Sequence, residues 1–269
     1  MKIQFLSLAS GSSGNCYYLG TPEYGILLDA GIGLRSIKKI LRDNDIELEQ
    51  IMAVFVTHDH SDHILAVGGL GIKHKIGIYA TEAVHEGLNR SRYVYRDLAQ
   101  SRKIIEKGQP VQVKDFTITA FDVPHDASDC VGYSILFQGE KLVLVTDVGY
   151  ISSTVADHIR EANHLIIESN YDQEMLQSGS YPPFLKQRIV GGTGHLCNTE
   201  TAEFLAANYR LHLKNIWLCH LSKDNNLPEL ALQTVLNALK TTDNHIEKKV
   251  RVQTLERSNP SELYNLLLS

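Results

Sequence analysis

A chain of 269 residues with 43% hydrophobic content is long enough to bury a sizeable core, as one large domain or two small ones. Its net charge of −5 excludes a surface coated with basic patches, and no apolar stretch is long enough to span a bilayer. Cys16, Cys130, Cys197 and Cys219 have no Cys-x-x-Cys spacing, which excludes a disulfide framework and predicts reduced thiols in a cytoplasmic protein.

The chain opens Met1-Lys2-Ile3-Gln4-Phe5, which enters a strand with no signal-peptide pattern. That strand is expected over residues 2–8, followed by the loop Ala9-Ser10-Gly11-Ser12-Ser13-Gly14-Asn15. Such a loop is either an anion site, offering backbone N–H groups and hydroxyls, or an ordinary tight turn. Strands over 16–19 and 26–29 are joined by a turn carrying Pro22 and Gly25, and an amphipathic helix is expected over 34–42.

The apolar, β-branched run 51–56 is too short for a helix and reads as a buried strand. It feeds directly into Thr57-His58-Asp59-His60-Ser61-Asp62-His63, so this heptapeptide sits where a strand becomes a loop. Three imidazoles and the Asp62 carboxylate in so short a loop are too many for one cation. The spacing suits two, with His58 and His60 on one and Asp62 and His63 on the other.

A second passage repeats the plan of the first. A strand over 116–121 is followed by Asp122-Val123-Pro124-His125-Asp126-Ala127-Ser128-Asp129 and a hairpin, 131–137 with 141–146, turned at Gln138-Gly139-Glu140. Next come Asp147-Val148-Gly149, a helix near 153–161 and a strand over 164–167. Ile26-Leu27-Leu28-Asp29-Ala30-Gly31 parallels Val143-Leu144-Val145-Thr146-Asp147-Val148-Gly149. This weak internal duplication predicts two stacked sheets with helices outside: α+β, a four-layer αββα sandwich, as one domain over residues 1–269. In the repeat, Glu168 stands where the first half placed His58. Further on, Gly191-Gly192-Thr193-Gly194-His195-Leu196-Cys197-Asn198 precedes a helix with Asn198 as its N-cap, an arrangement that favours anions. The run 216–219 ends in His220-Leu221-Ser222. A helix from Pro228, a strand near 250–254 and a helix over 261–268 close the chain.

The His-x-His-x-Asp-His pattern at a strand end resembles the signature of the metallo-β-lactamase fold. By that resemblance His125 joins His58 and His60 on the first metal. His220 joins Asp62 and His63 on the second, and Asp147 bridges the two. Five imidazoles and two carboxylates without a thiolate suit zinc, manganese or iron and disfavour calcium. Two such cations about 3.5–4 Å apart turn a shared water into hydroxide near neutrality, so the expected reaction is hydrolysis.

Glu168 and His195 resemble the Glu–His proton-relay pair of the ribonuclease Z branch, although no glycine- and proline-rich tRNA-clamping arm is present. Taken whole, the chain resembles the YycJ (WalJ) group of bacterial metallo-hydrolases. The motifs behind this are Ser10-Gly11-Ser12-Ser13-Gly14-Asn15, the heptapeptide, Glu168-Ser169-Asn170-Tyr171-Asp172, Gly194-His195-Leu196-Cys197-Asn198 and His220-Leu221-Ser222-Lys223-Asp224-Asn225-Asn226. The resemblance implies a 5′-to-3′ exonuclease acting on DNA rather than RNA, with a place in mismatch repair. Asp62, Glu168 and His195 would be catalytic, and Ser12, Ser13, Asn15, Gly194 and Asn198 would hold phosphate.

Arg90, Arg92, Arg96, Arg102 and Lys103, with Tyr93 and Tyr95, fall in an expected helical region. They read as a solvated face or as a track for a nucleic-acid strand. Lys186 and Arg188, near Pro182-Pro183, offer the same choice. His74, His85, His158, His164, His212 and His245 match no motif and are expected to be structural or surface groups. The competing reading is a thioesterase or lactonase on the same fold. A non-enzymatic scaffold would show missing ligands, and none of the seven is missing.

Overall fold

The computed structural model describes residues 2–95, 98–242 and 249–266. Strands Ile3–Gly11 (β1), Gly14–Gly20 (β2), Gly25–Leu28 (β3), Ile51–Phe55 (β4), Gly77–Ala80 (β5), Arg102–Ile104 (β6) and Tyr264–Leu266 (β14) form one sheet, in the order β14-β1-β2-β3-β4-β5-β6. Strands Pro110–Val113 (β7), Phe116–Asp122 (β8), Val131–Phe137 (β9), Glu140–Val145 (β10), His164–Glu168 (β11), Asn215–Cys219 (β12) and Arg251–Thr254 (β13) form the other, in the order β13-β12-β11-β10-β9-β8-β7. The chain packs as two compact units: residues 1–114, 127–130 and 256–269, and residues 115–126 and 131–255.

The duplication expected from sequence appears inside each sheet. In the first, β1, β2 and β3 pair antiparallel, and β3, β4, β5 and β6 pair parallel. In the second, β8, β9 and β10 pair antiparallel, and β10, β11, β12 and β13 pair parallel. The helices Leu34–Asp43 (α1) and Ser153–Arg160 (α4) occupy corresponding crossovers, β3 to β4 and β10 to β11. Ile37 and Leu41 on α1 enter the core of the first unit beside Leu27, Val54 and Ile78. In α4, Ser152 accepts a hydrogen bond from Val155 N as N-cap and Val155, Ala156 and Ile159 are buried. At the β9–β10 hairpin Gln138 and Gly139 both take positive φ, 46° and 84°, as a two-residue turn of matching twist requires.

Several expectations are corrected. The stretch 9–15 is no open loop: β1 runs through Gly11 and β2 resumes at Gly14, because cross-strand pairing of Ala9 with Cys16 and Ser10 with Asn15 zips it into a hairpin. The C-terminal segment forms β14 against β1 instead of a helix, and residues 267–269 lie outside the described ones. The basic segment is not one helix, since it divides between Glu82–Arg90 (α3), a turn and β6. There Arg92 stacks on Tyr93 at 5.0 Å, Arg102 pairs with Glu82, and Arg96 lies outside the described residues, as does His245. Glu168 is the last residue of β11, whereas His58 lies beyond the end of β4 at Phe55, so the repeat does not superimpose the two. Cys197 caps Asn198–Asn208 (α7), its Sγ taking the Glu200 N–H in a capping box, and Asn198 is the first helical residue.

All four cysteines are free and buried. Among the described residues no helix is long and apolar enough to cross a membrane.

Candidate metal centre

In the first unit the heptapeptide leaves β4 and ends in the short helix Ser61–Ile64 (α2). Two donor pairs emerge from it. His58 Nε2 lies 3.1 Å from His60 Nδ1, and His63 Nε2 lies 3.5 Å from Asp62 Oδ2. Asp59 is turned elsewhere: its carboxylate accepts the Ser128 N–H at 3.1 Å and the Ser128 hydroxyl at 2.6 Å.

The imidazoles are held from behind by a residue that sequence reasoning did not single out. Asp29 is fully buried at the end of β3, with φ of 58°. Its carboxylate accepts from His63 Nδ1 at 2.7 Å, from Thr57 N at 2.8 Å and from the Thr57 hydroxyl at 2.9 Å. Thr57 Oγ1 in turn accepts from His58 Nδ1 at 2.9 Å. Both rings therefore carry their proton on Nδ1 and present an Nε2 lone pair. Asn15 Nδ2, 3.0 Å from His63 Nε2, donates to that lone pair. Buried imidazoles fixed in this tautomer by a carboxylate are what a cation needs, so the residues fit the expected metal. Asn15 also donates to Gly11 O at 3.1 Å, while Ser12 and Ser13 are exposed at the hairpin tip.

The α2 helix is clasped by the turn after β3. Ala30 N donates to His63 O and Ala66 N to Ala30 O, both at 2.8 Å. The approach is so close that a Cβ on Gly31 would stand 1.7 Å from Asp62 O.

The second unit repeats the arrangement. Asp147 follows β10 and His220 follows β12, each in the left-handed region with φ of 50° and 54°. Asp and His at these strand ends thus take a sparsely populated backbone conformation. The Thr146 hydroxyl donates to Asp147 Oδ2 at 2.7 Å. Asp147 Oδ1 stands 3.8 Å from His125 Nε2 and 3.5 Å from His220 Nδ1, between two candidate ligands. His125 Nδ1 donates to Gly194 O at 3.0 Å, so Gly194 contributes a carbonyl that orients this ring.

Glu168 is completely buried and receives five hydrogen bonds, one of them from Asn170 Nδ2 to Oε1 at 3.3 Å. Oε1 accepts from His195 Nδ1 at 2.8 Å and His220 Nδ1 at 2.9 Å, and Oε2 accepts from Val148 N at 2.9 Å and Leu196 N at 3.3 Å. Burial opposes charge on Glu168 and His195, but their mutual attraction and hydrogen bond prevail. His195 is held above the ordinary imidazole value and Glu168 below the ordinary carboxylate range. Asp147, Glu168, His195 and His220 each bring one ligand atom within 4.8 Å of the others.

The motifs around 170, 198 and 226 form the frame of this cluster. Asn170 Nδ2 donates to His220 O at 2.8 Å, and Asn226 Nδ2 donates to Ser169 O and Asn170 O, each at 2.9 Å. Asn198 is buried, with Nδ2 donating to Asn226 Oδ1 at 2.9 Å and Oδ1 accepting the Ser169 hydroxyl at 2.7 Å. Its carboxamide is engaged inside the protein. Arg188 donates to both Asp126 oxygens, at 2.5 and 3.0 Å, and the ammonium of Lys186 donates to Gln177 O and Gly179 O.

The β-lactamase superfamily domain matches residues 24–220, and the chain belongs to that superfamily, with its four-layer αββα fold. YhfI from Bacillus subtilis, a solved metallo-β-lactamase fold protein, superimposes with a TM-score of 0.70 at 18% identity over 99% of this chain and 100% of that one. Within the superfamily the chain belongs to the WalJ/YycJ group. It is 39% identical over 236 residues to the exodeoxyribonuclease WalJ of Streptococcus pneumoniae, 88% of each chain. It is 33% identical over 264 residues to the exodeoxyribonuclease YycJ of Bacillus anthracis, 98% of this chain and 99% of the relative. The protein is a metal-dependent hydrolase.

Proposed function

We propose that this chain is a two-metal phosphodiesterase that removes nucleotides from the 5′ end of DNA. His58, His60 and His125 hold one cation, Asp62, His63 and His220 hold the other, and Asp147 bridges them; zinc and manganese suit these donors. Bound there, the pair supplies a deprotonated water as nucleophile and neutralises charge on the phosphoryl oxygens.

The observation that best supports phosphodiester chemistry is the 2.8 Å hydrogen bond from His195 Nδ1 to the buried Glu168. A sugar alkoxide is a poor leaving group and needs a proton; a thiolate needs far less help. With Nδ1 committed to Glu168, His195 Nε2 delivers that proton to the departing 3′-oxygen. Whole-chain relatives named exodeoxyribonuclease favour DNA over RNA. Ser12 and Ser13, exposed at their hairpin tip, are kept as phosphate contacts. Asn15, Gly194 and Asn198, expected from sequence to bind phosphate, are assigned to closing the β1–β2 hairpin, orienting His125 and bracing the Glu168 strand instead. A cytoplasmic location fits the reduced thiols.

The test is incubation of manganese- or zinc-reconstituted protein with end-labelled single- and double-stranded DNA and RNA, beside a thioester panel. Mononucleotides released from the 5′ end are expected. His195→Ala retains its metal and loses about 10²–10⁴-fold in turnover. Thioester cleavage without nucleotide release would replace this reading with the small-molecule one.

A further inference from the structure

We infer that Glu168 is a positioning residue for His220 as well as for His195, so that one carboxylate oxygen serves both the proton relay and the metal centre. The inference rests on the reading of His220 as a ligand. Two imidazole Nδ1 atoms, at 2.8 and 2.9 Å, converge on the same Oε1. Each must donate to it, because a carboxylate only accepts. The proton of His220 is thereby confined to Nδ1, and its Nε2 lone pair is left to a cation. The carboxylate itself is not free to rotate: Oε2 is pinned by the Val148 and Leu196 N–H groups, and Asn170 Nδ2 donates to Oε1 at 3.3 Å.

This geometry gives Glu168→Gln an unusual signature. The amide oxygen must occupy the position of Oε2, since two backbone N–H groups point there. The new NH₂ then faces both imidazoles and donates to Nδ1, which moves each ring proton to Nε2. His220 would present N–H to the cation in place of a lone pair. An isosteric change that preserves packing therefore disables a ligand two atoms away.

The experiment measures manganese and zinc affinity and stoichiometry in purified full-length protein, with the thermal melt of the metal-free form as a folding control. Glu168→Gln is expected to weaken the cation held by His220 about 10–100-fold, the range for lost outer-sphere partners. His195→Ala should leave metal affinity unchanged, and His220→Ala should cost one equivalent. A ¹⁵N histidine spectrum of the metal-free Glu168→Gln variant should show the His220 proton on Nε2. Wild-type affinity and an Nδ1–H tautomer in that variant overturn the inference while leaving the nuclease reading intact. Full stoichiometry in His220→Ala overturns the ligand assignment, and the inference falls with it. Should Glu168→Gln not fold, Glu168→Asp, which keeps the charge but withdraws the acceptor by one methylene, must still weaken the same cation.

Discussion

His164 shows how a buried histidine outside every motif still shapes behaviour. Its ring stacks on Phe137 at 6.2 Å, Asn215 Nδ2 sits 2.8 Å from its Nδ1, and Glu140 Oε2 lies 3.5 Å from Nε2. Burial disfavours the imidazolium more than Glu140 favours it, with Lys214 opposing as well, and the value falls to about 4. The unfolded chain, near the ordinary value of about 6.5, binds this proton first. Stability is therefore complete above that value and is lost as pH falls from about 6.5 toward 4, on the order of 2 kcal/mol by pH 5. Urea denaturation at pH 7.5 and pH 5 checks this: His164→Gln should shrink the wild-type difference by that amount. An equal pH dependence in both proteins would show that the ring protonates without cost. The same residue scale explains what the sequence withheld. His58, His60, Asp62 and His63 announce themselves as metal-capable types at short spacing. Asp29 and Asn170 act through hydrogen bonds to residues 28–50 positions away, a pairing that no local pattern encodes.

At the scale of elements, the turn after β3 and the helix α2 behave as one piece. Gly31 permits this contact, since any side chain there would strike Asp62 O at 1.7 Å. Gly31→Ala must push α2 away, and Asp62 and His63 move with it. On the proposed reading two ligands of one cation are displaced together, so turnover and metal affinity should each fall at least about 10-fold, as when a ligand's support is removed. Gly33→Ala is the control: its Cβ would meet nothing closer than Ser36 Oγ at 3.8 Å. Metal titration and circular dichroism of both variants decide the matter, and wild-type affinity in Gly31→Ala would mean that α2 is not held by this clasp. The apolar runs made β4, β9, β10 and β11 legible, because burial and β-branching are local signals. The hairpin at 11–14 and the strand β14 were not, since both depend on pairing partners that composition does not reveal.

For the molecule as a whole, the repeated topology places a carboxylate after the third strand of each repeat, Asp29 and Asp147, both at positive φ. One copy holds His63 from behind and the other stands between His125 and His220. A cation held by such side chains would couple metal binding to folding. A cation that binds only the folded chain stabilises it by about 2.7 kcal/mol at a hundred times its dissociation constant. For a chain of this size that corresponds to roughly 5–10 °C in melting temperature. Differential scanning calorimetry across a graded manganese or zinc series should show the transition rising steadily with free metal, without a plateau at stoichiometry. Calcium, poorly matched to five imidazoles, should produce little shift. If each serves a different cation, as proposed, removing His58 or His220 should lower the gain without abolishing it. A melting temperature indifferent to zinc and manganese would mean that these side chains are tied to one another rather than awaiting a metal.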